Sequence, residues 1–416
     1  MTAVIDRSSS VEPYPVRSRG YRRITAALFI AGVTTFGSMY STQAVLPEFT
    51  RYFGVSPATS ALAMSLTTGM LALTIIPASA LSARFGRTRV MTISAVSAAV
   101  IGILIPLSPT IEVVLTLRAF QGVALAGVPA VAMAYLAEEV DRASLGQAMG
   151  RYIAGTTVGA LIGRLLASSM LDVTSWRWAL EVAALVAAFS AIVMIRMLPP
   201  SRMFLPQRTT PATVARGVAS HLKNPAMLSL FVLSFLLMGG FVSVYNFLGY
   251  RLLADPFRLT ATLAGLVFLF YLSGTVSSPK AGKLSDRFGQ RRILLGAVAI
   301  MACGILLTLP DYMPTLLTGV AIFTVGFFGA HSVASSWVSN LAASNRAEAS
   351  SLYLFSYYLG SSLLGGSAGL VYMSAGWPGM VAYVGTLVAA GLLVVMVTLR
   401  PRNRGLSAPV STFSAG

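Results

Sequence analysis

The segment GKLSDRFGQRR at residues 282–292 decides the fold of this chain, because a related copy, SALSARFGRTR, occupies residues 79–89. At an offset of 203 positions, Arg84, Phe85 and Gly86 of the first copy recur as Arg287, Phe288 and Gly289. Each copy is a short basic turn between two long apolar segments, at the same point of its half of the chain. Repetition over so long a period predicts two related membrane bundles.

The composition predicts that the bilayer is the solvent for most of the chain. Hydrophobic residues make up 56% of the 416 residues, charged residues make up 10%, and the mean hydropathy is +0.76. A soluble domain of this length could not bury so much apolar surface, so the chain is expected to span a membrane.

About twelve apolar runs are long enough to cross a bilayer. They lie at residues 24–46, 58–81, 90–107, 113–136, 145–171, 178–198, 227–252, 261–281, 293–309, 316–338, 349–373 and 379–399. The sequence thus predicts an all-α membrane protein of twelve transmembrane helices in two pseudo-symmetric six-helix bundles. The predicted divisions are a tail at 1–23, a first bundle at 24–198, a linker at 199–225, a second bundle at 226–399 and a tail at 400–416.

The net charge of +17 would suggest a nucleic-acid partner if the basic residues formed one patch. If the N-terminus is cytoplasmic, however, 24 of the 30 Lys and Arg residues fall in cytoplasmic segments, as the positive-inside rule requires. We therefore expect both termini in the cytoplasm, a lipid bilayer around the protein, a monomer and no nucleic acid. The single Cys303 lies in an apolar run, so neither a disulfide nor a cysteine-based metal site is expected.

The segment at 282–292 closely resembles the loop motif G-x-L-x-D-R-x-G-R-R of the major facilitator superfamily, and its paired position in the two halves matches as well. AHSVASSW at 330–337 and ASSLYLFSYYLGSS at 349–362 resemble one group of bacterial inner-membrane transporters in that superfamily. The resemblance covers the whole chain. It implies the major facilitator fold, a central cavity between the halves, alternating access and a bacterial inner membrane.

The resemblance also implies a cytoplasmic gate in the repeated loops, formed by Arg84, Gly86, Arg87, Gly282, Asp286, Arg287, Gly289 and Arg291. Asp286 can accept hydrogen bonds from the opposite half and so hold one face shut. For Arg291, a purely topological role is the preferred interpretation. The first copy departs from the motif at Ser79 and Ala83, so the gate role is not carried over to Ala83.

Span four contains RAFQG at residues 118–122, which resembles the family motif R-x-x-Q-G. The family assigns the matching arginine, here Arg118 with Gln121 beside it, to proton coupling or substrate contact. A buried arginine in a membrane is costly and usually faces a cavity or a partner. A structural arginine bonded to neighbouring carbonyl groups is the alternative, and both interpretations stay open.

Span five carries Gly155, Gly159 and Gly163 at four-residue spacing, followed by Arg164. The stripe resembles the glycine motif of proton-coupled exporters but lacks its Gly-Pro pair, so close helix packing is the preferred interpretation. Arg164 is predicted either to reach water, to pair with Asp172, or to bind an anionic group.

Polar and aromatic residues in the second half predict the wall of a cavity suited to an organic solute: Tyr245, Asn246, His331, Tyr353 and Tyr357. His331 could exchange protons near neutral pH, or it could be a packing residue held by a hydrogen bond. Tyr250 and Tyr271 are instead assigned to the membrane interface as anchors.

No predicted span carries an acidic residue near its middle, so an anionic or neutral solute fits this chain better than a cation. There is no P-loop string for ATP and no cluster of metal ligands, so neither a cofactor nor a metal is expected. We predict a proton-coupled secondary transporter of a small organic molecule, not an enzyme, with export favoured. Uptake of an organic anion is the alternative, and a transport-inactive membrane sensor is a third hypothesis.

Overall fold

The computed structural model describes residues 13–16, 18–206, 211–342 and 346–399. The predicted tail at 400–416 and most of the other tail lie outside these residues. The α-helices of the described part are α1 Arg19–Ala44, α2 Leu46–Phe53, α3 Pro57–Phe85, α4 Arg87–Leu104, α5 Ile111–Leu125, α6 Gly127–Glu139, α7 Arg142–Leu171, α8 Trp176–Met197, α9 Pro211–Leu222, α10 Pro225–Leu253, α11 Ala261–Gly265, α12 Ser273–Phe288, α13 Gln290–Leu307, α14 Met313–Leu341 and α15 Arg346–Thr398.

The predicted all-α membrane fold with twelve spans is confirmed. Helices α5 and α6 form one apolar span, and α11, the 3-10 segment Leu266–Leu272 and α12 form another. Helix α15 contains two spans, because Gly376 interrupts it with a φ of 58° and a ψ of −151°. Such a conformation is readily available only to glycine, so the chain can turn back within one continuous helical segment.

The internal repeat is visible in the backbone at the two basic turns. Gly86 links α3 to α4 with a φ of 104°, and Gly289 links α12 to α13 with a φ of 91°. The N–H of Gly86 donates to the carbonyl of Ser82 at 3.0 Å, and that of Gly289 donates to Ser285 at 2.9 Å. The two copies therefore make the same turn, as the duplicated sequence predicts.

Small residues set the closest helix contacts within each half. A Cβ placed on Gly155 would lie 2.1 Å from the carbonyl oxygen of Phe29, and one on Gly163 would lie 2.3 Å from that of Gly37. The glycine stripe of α7 thus packs directly against the backbone of α1. Helix α15 packs on α10 in the same way, through Gly360.

The two ends of the molecule differ in charge and in the elements that they carry. The basic face is the end that carries Gly86 and Gly289 with the arginines around them, and the linker helix α9 joins the two halves at this end. The opposite face carries α2 and the connections at residues 172–175 and 254–260. The helices that run between these faces therefore present each side chain at a definite depth between them.

Candidate functional site

The two halves are joined on the side of the opposite face. Seven hydrogen bonds connect them within the described residues: Gln43 to Asn246, Thr50 to Tyr250, Tyr250 to Leu46, Arg164 to Tyr271, Ala261 to Asp172, Thr262 to Asp172, and Ser362 to Ser65. All of these residues lie in the parts of their helices that are nearer to the opposite face, or in the connections there. In this conformation the protein is therefore closed at the opposite face.

Asp172 caps a helix of the other half. Its two carboxylate oxygens accept the backbone N–H groups of Ala261 at 2.8 Å and Thr262 at 2.9 Å. Hydrogen bonds from Thr262, first through its side chain and then through its backbone, hold the pKa of the exposed Asp172 carboxyl below its ordinary value. The prediction that Asp172 pairs with Arg164 is wrong, because the Arg164 nitrogens bond Gln43, Ala160 and Tyr271 instead.

Arg164 does not reach water either, since its exposed fraction is 0%. Its Nε donates to the Gln43 side-chain oxygen at 2.7 Å, and its two terminal nitrogens donate to the Ala160 carbonyl at 3.1 Å and the Tyr271 hydroxyl at 3.2 Å. Its guanidinium carbon lies 4.0 Å from the ring centre of Tyr40 and 5.0 Å from that of Phe268. No carboxylate pairs with it in the described part of the chain, so its charge is shared with neutral oxygens and aromatic faces.

Gln43 carries the contact of Arg164 onward into the second half. Its side-chain nitrogen donates to the side-chain oxygen of Asn246 at 2.7 Å. The two residues are 203 positions apart, which is the offset of the repeated loops, so they occupy equivalent places in α1 and α10. This bond therefore joins the two halves through a pair of residues that the internal repeat relates to each other.

Arg164, Gln43 and Asn246 form a hydrogen-bonded chain between the halves, called the polar bridge below. Aromatic rings of the second half surround this bridge. The ring of Tyr271 lies 4.7 Å from that of Tyr245 and 5.3 Å from that of Phe241, and Tyr245 also hydrogen-bonds Thr324 at 2.7 Å. The assignment of Tyr271 to the membrane interface is wrong, because this residue is buried against Arg164. Tyr250, the other assigned anchor, instead bonds the first half at the opposite face.

A second cluster of predicted residues lies nearer to the basic face. The hydroxyl of Tyr353 lies 3.0 Å from Nδ1 of the half-buried His331, and the ring of Tyr357 lies 4.8 Å from the imidazole. Phe327 stacks on His331 at 6.0 Å and on Phe241 at 3.8 Å. Of the predicted wall residues, Tyr245 and Asn246 lie with Arg164, Gln43 and Tyr271 in what we call the Arg164 cluster. His331, Tyr353 and Tyr357 form the His331 cluster, and the stacked rings of Phe241 and Phe327 connect the two clusters.

Arg118 stands apart from both clusters. It is 1% exposed and donates to the carbonyls of Ala63 at 3.1 Å, Ser38 at 3.4 Å and Met39 at 2.8 Å, and to the side chains of Gln121 and Met64. Gln121 in turn donates to the Ser38 hydroxyl at 2.9 Å. Every one of these partners belongs to the first half, so Arg118 ties together helices of a single bundle.

The repeated loops differ in their partners. Arg87 forms an ion pair with Glu138 at 2.7 Å and also donates to Ser82 at 2.7 Å, so the first copy is fixed within its own half. Arg291 donates to the Met396 carbonyl at 3.0 Å in the second half. Asp286 is exposed and has no hydrogen-bond or ion-pair partner among the described residues. In this conformation the loops therefore do not join the two halves.

Sequence reasoning missed Gln43, Tyr40 and Phe268. One available signal was the offset of 203, which pairs Gln43 with Asn246 once the repeat is recognised. The contacts of Tyr40 and Phe268 with Arg164 depend on packing between distant helices and leave no comparable trace in the sequence.

Comparison with known proteins identifies relatives along nearly the whole chain. The family model of the Major Facilitator Superfamily matches residues 28–268 and 230–415. The uncharacterized MFS-type transporter YybF of Bacillus subtilis (strain 168) is 39% identical over 364 residues, which cover 88% of this chain and 90% of that protein. The inner membrane transport protein YnfM of Escherichia coli (strain K12) is 38% identical over 392 residues, which cover 94% of each.

A solved structure shares the fold at low sequence identity. The nucleoside transporter NupG superposes with a TM-score of 0.74 at 15% identity, over 91% of this chain and 100% of that chain. Because the identity is so low, this likeness bears on the architecture alone.

Proposed function

This chain belongs to the Major Facilitator Superfamily, and from that premise we propose that it is a secondary active transporter of a small organic solute, coupled to protons and working by alternating access. The observation that carries the proposal is the one-sided closure of the molecule. The halves are hydrogen-bonded toward the opposite face, whereas the hydrogen bonds and ion pairs of the repeated loops at the basic face stay within one half among the described residues. A transporter closed at one face is half of an alternating-access cycle.

The solute site of this proposal lies between the two clusters. The His331 cluster, nearer the basic face, supplies hydroxyl groups and aromatic faces, and the Arg164 cluster lies deeper, against the closed side. Apolar walls with a few convergent polar groups are typical of sites for small organic molecules. Tyr245, Asn246, Tyr353 and Tyr357 are the wall residues of the proposed site.

His331 is the residue we propose for proton exchange. Imidazole changes its charge close to neutral pH, and His331 is half-buried with the Tyr353 hydroxyl at 3.0 Å. The resemblance of Arg118 to the family motif gives it a coupling role as an alternative. Its saturated contacts within one bundle support the structural role better.

The basic face is proposed to be cytoplasmic, with both termini on that side, because Lys and Arg concentrate there. The proposed location is a bacterial inner membrane, as in the relative YnfM. The protein is proposed to act as a monomer, without cofactor and without enzymatic activity. Export is the favoured direction, since the loop and glycine patterns resemble those of exporters.

Uptake of a small organic anion is the second candidate function. It is favoured by one observation: Arg164 is fully buried and has no acidic partner in the described part of the chain. A buried cation without a counter-charge is costly, and an anionic solute would compensate it.

Reconstitution into liposomes tests the proposal. Imposed pH gradients of both signs should drive net movement of at least one labelled solute from a panel of organic anions, neutral molecules and cations, and a protonophore should abolish that movement. Counterflow without any gradient should persist. If no solute of the panel moves above the background of protein-free liposomes, the transport proposal is refuted.

A reversible lock provides a matched control for alternating access. A Cβ on Gly366 would lie 3.3 Å from the Cβ of Ser65 in the other half, within a few tenths of an ångström of the separation in a disulfide, so Ser65→Cys and Gly366→Cys can be cross-linked in a Cys303→Ser background. Oxidation should stop transport, and reduction should restore it, because the bond holds the opposite face closed. Transport that continues after complete cross-linking contradicts alternating access.

A further inference from the structure

The two buried arginines differ in how many of their N–H groups are used. A guanidinium has five N–H donors. Arg118 uses all five, one through Nε and two through each terminal nitrogen. Arg164 uses three, one on each nitrogen, so two N–H groups of a fully buried cation have no acceptor among the described residues.

The polar bridge beside Arg164 ends in another unused donor. Arg164 can only donate, so the oxygen of Gln43 must accept its Nε–H, and the nitrogen of Gln43 must donate to the oxygen of Asn246. The nitrogen of Asn246 is then turned away from the bridge, and it is buried without a partner among the described residues. The bridge therefore offers spare N–H donors beside a buried cation, which is the complement of a carboxylate or a similar oxyanion.

Space at the bridge is too small for an added ligand. The cavity between Gln43, Tyr245 and Phe268 has a volume of about 20 Å³. A cavity of that size holds about one water molecule. An anion can therefore reach Arg164 only by taking the place of a side chain that already binds it, and Gln43 is the partner bound through a flexible side-chain amide.

We propose that the transported solute is an organic anion with an aromatic or apolar body, and that its anionic group replaces Gln43 on Arg164 and so releases the Gln43–Asn246 bond between the halves. The rings of Tyr40, Tyr271 and Phe268 around the guanidinium provide the apolar surface for the body. Binding of the anion would thus weaken the closure of the opposite face directly. This inference rests on the proposed transport function and specifies its substrate class and its coupling.

Three small molecules of the same shape and different charge serve as probes: benzoate, benzamide and benzamidine. Spin labels at the exposed positions 175 and 312, one in each half at the opposite face, report the separation of the halves in a Cys303→Ser background. Benzoate should increase the fraction with a separated opposite face, whereas benzamide and benzamidine should not. Equal responses to all three probes, or no response to benzoate at millimolar concentration, overturn the inference.

Variants separate a binding role from a structural one. Arg164→Gln should weaken the benzoate response at least about tenfold, and Arg164→Lys should retain part of it because the charge remains. Gln43→Ala should separate the opposite face without benzoate and should bind benzoate at least as tightly as the parent, since the competing amide is gone. A purely structural Arg164–Gln43 contact predicts weaker binding in both variants, and that result overturns the inference.

Transport measurements keep this inference distinct from the proposed function. If counterflow occurs for a neutral or cationic solute and is unchanged in Arg164→Gln, the transport function stands and the anion site is refuted. If benzoate separates the halves but no solute of any charge is moved, the anion site stands and the transport function is refuted. Circular dichroism and size-exclusion profiles verify that each variant is folded.

Discussion

Replacing Asp172 by Asn tests whether the opposite face is held shut by a helix cap that crosses between the halves. The carboxylate accepts two N–H groups at the start of α11, at 2.8 and 2.9 Å. An amide offers one oxygen, so Asp172→Asn loses one of the two bonds and the negative charge near the helix N-terminus. The change affects only contacts between the halves, and the fold of each half should remain intact.

The expected magnitude is set by those two losses. One hydrogen bond contributes about 1 kcal/mol, and a charge at a helix end contributes roughly 0.3–1 kcal/mol. Asp172 is exposed, so water screens both contributions, and we expect a net loss of about 1 kcal/mol of closure free energy. That loss corresponds to roughly a fivefold change in the ratio of closed to open molecules.

Electron spin resonance distances across the opposite face, with labels at positions 175 and 312, measure this ratio. Asp255→Asn is the matched control, because Asp255 is an exposed acid at the same face whose ion pair, with Arg258, stays within its own half. Asp172→Asn should enlarge the open fraction and Asp255→Asn should not. Identical distance distributions for the parent and Asp172→Asn would refute the idea that this cap closes the face.

The same contact predicts how closure depends on pH. The pKa of Asp172 is held below the ordinary Asp value while the halves are joined, so the cap is fully formed above the unperturbed pKa of about 3.9 and is lost as the pH falls through the lowered value. Between pH 8 and pH 5 the contribution of Asp172 to closure should therefore be constant. If Asp172→Asn removes a pH dependence within that range, the cap also takes part in proton coupling, contrary to this expectation.

Further substitutions test other parts of the structure. Gly159→Ala should destabilise the protein in detergent by about 1–3 kcal/mol, because its Cβ would lie 2.5 Å from the Val33 carbonyl oxygen, whereas Gly150→Ala in the same helix meets nothing within 4 Å and should be neutral in thermal unfolding. Arg118→Lys should lower the free energy of unfolding by about 2 kcal/mol, because most of the five buried hydrogen bonds of Arg118 are lost at roughly 0.6 kcal/mol each. An unchanged unfolding midpoint contradicts a structural role of Arg118. Asp286→Asn should slow turnover at normal expression, and Ala83→Asp should favour closure of the basic face; unchanged label distances across that face in Ala83→Asp argue against a gate there.

The fold was predictable because its signals are local and repeated. Apolar runs of bilayer length and the two turns at Gly86 and Gly289 can be recognised from the sequence without knowledge of any long-range contact. The candidate site was predictable only as a set of unusual residue types. Arg164, Asn246 and His331 stand out in apolar helices, but their partners come from helices that are distant in sequence.

Two of the errors at the site, those on Tyr271 and on the pairing of Arg164 with Asp172, have geometric causes. Tyr271 lies ten residues into its span, in a 3-10 segment that rises about 2 Å per residue, so it is carried deep into the protein and away from the interface. Arg164 and Asp172 are eight residues apart on one helix, about 12 Å along its axis, which puts the carboxylate beyond the reach of the guanidinium. Depth along the axis, more than residue type, decides the role of each of these side chains.

The bonds between the halves differ in what can replace them when the opposite face opens. Asp172 is exposed, so water can take over its hydrogen bonds at small cost. Gln43 and Asn246 are buried, and Arg164 beside them carries a charge that a membrane interior tolerates poorly. Opening therefore depends most on what binds Arg164 once Gln43 withdraws. A solute that brings its own oxyanion satisfies that requirement, and this is why the bridge between Arg164 and Asn246, more than the cap at Asp172, is suited to couple solute binding to the movement of the halves.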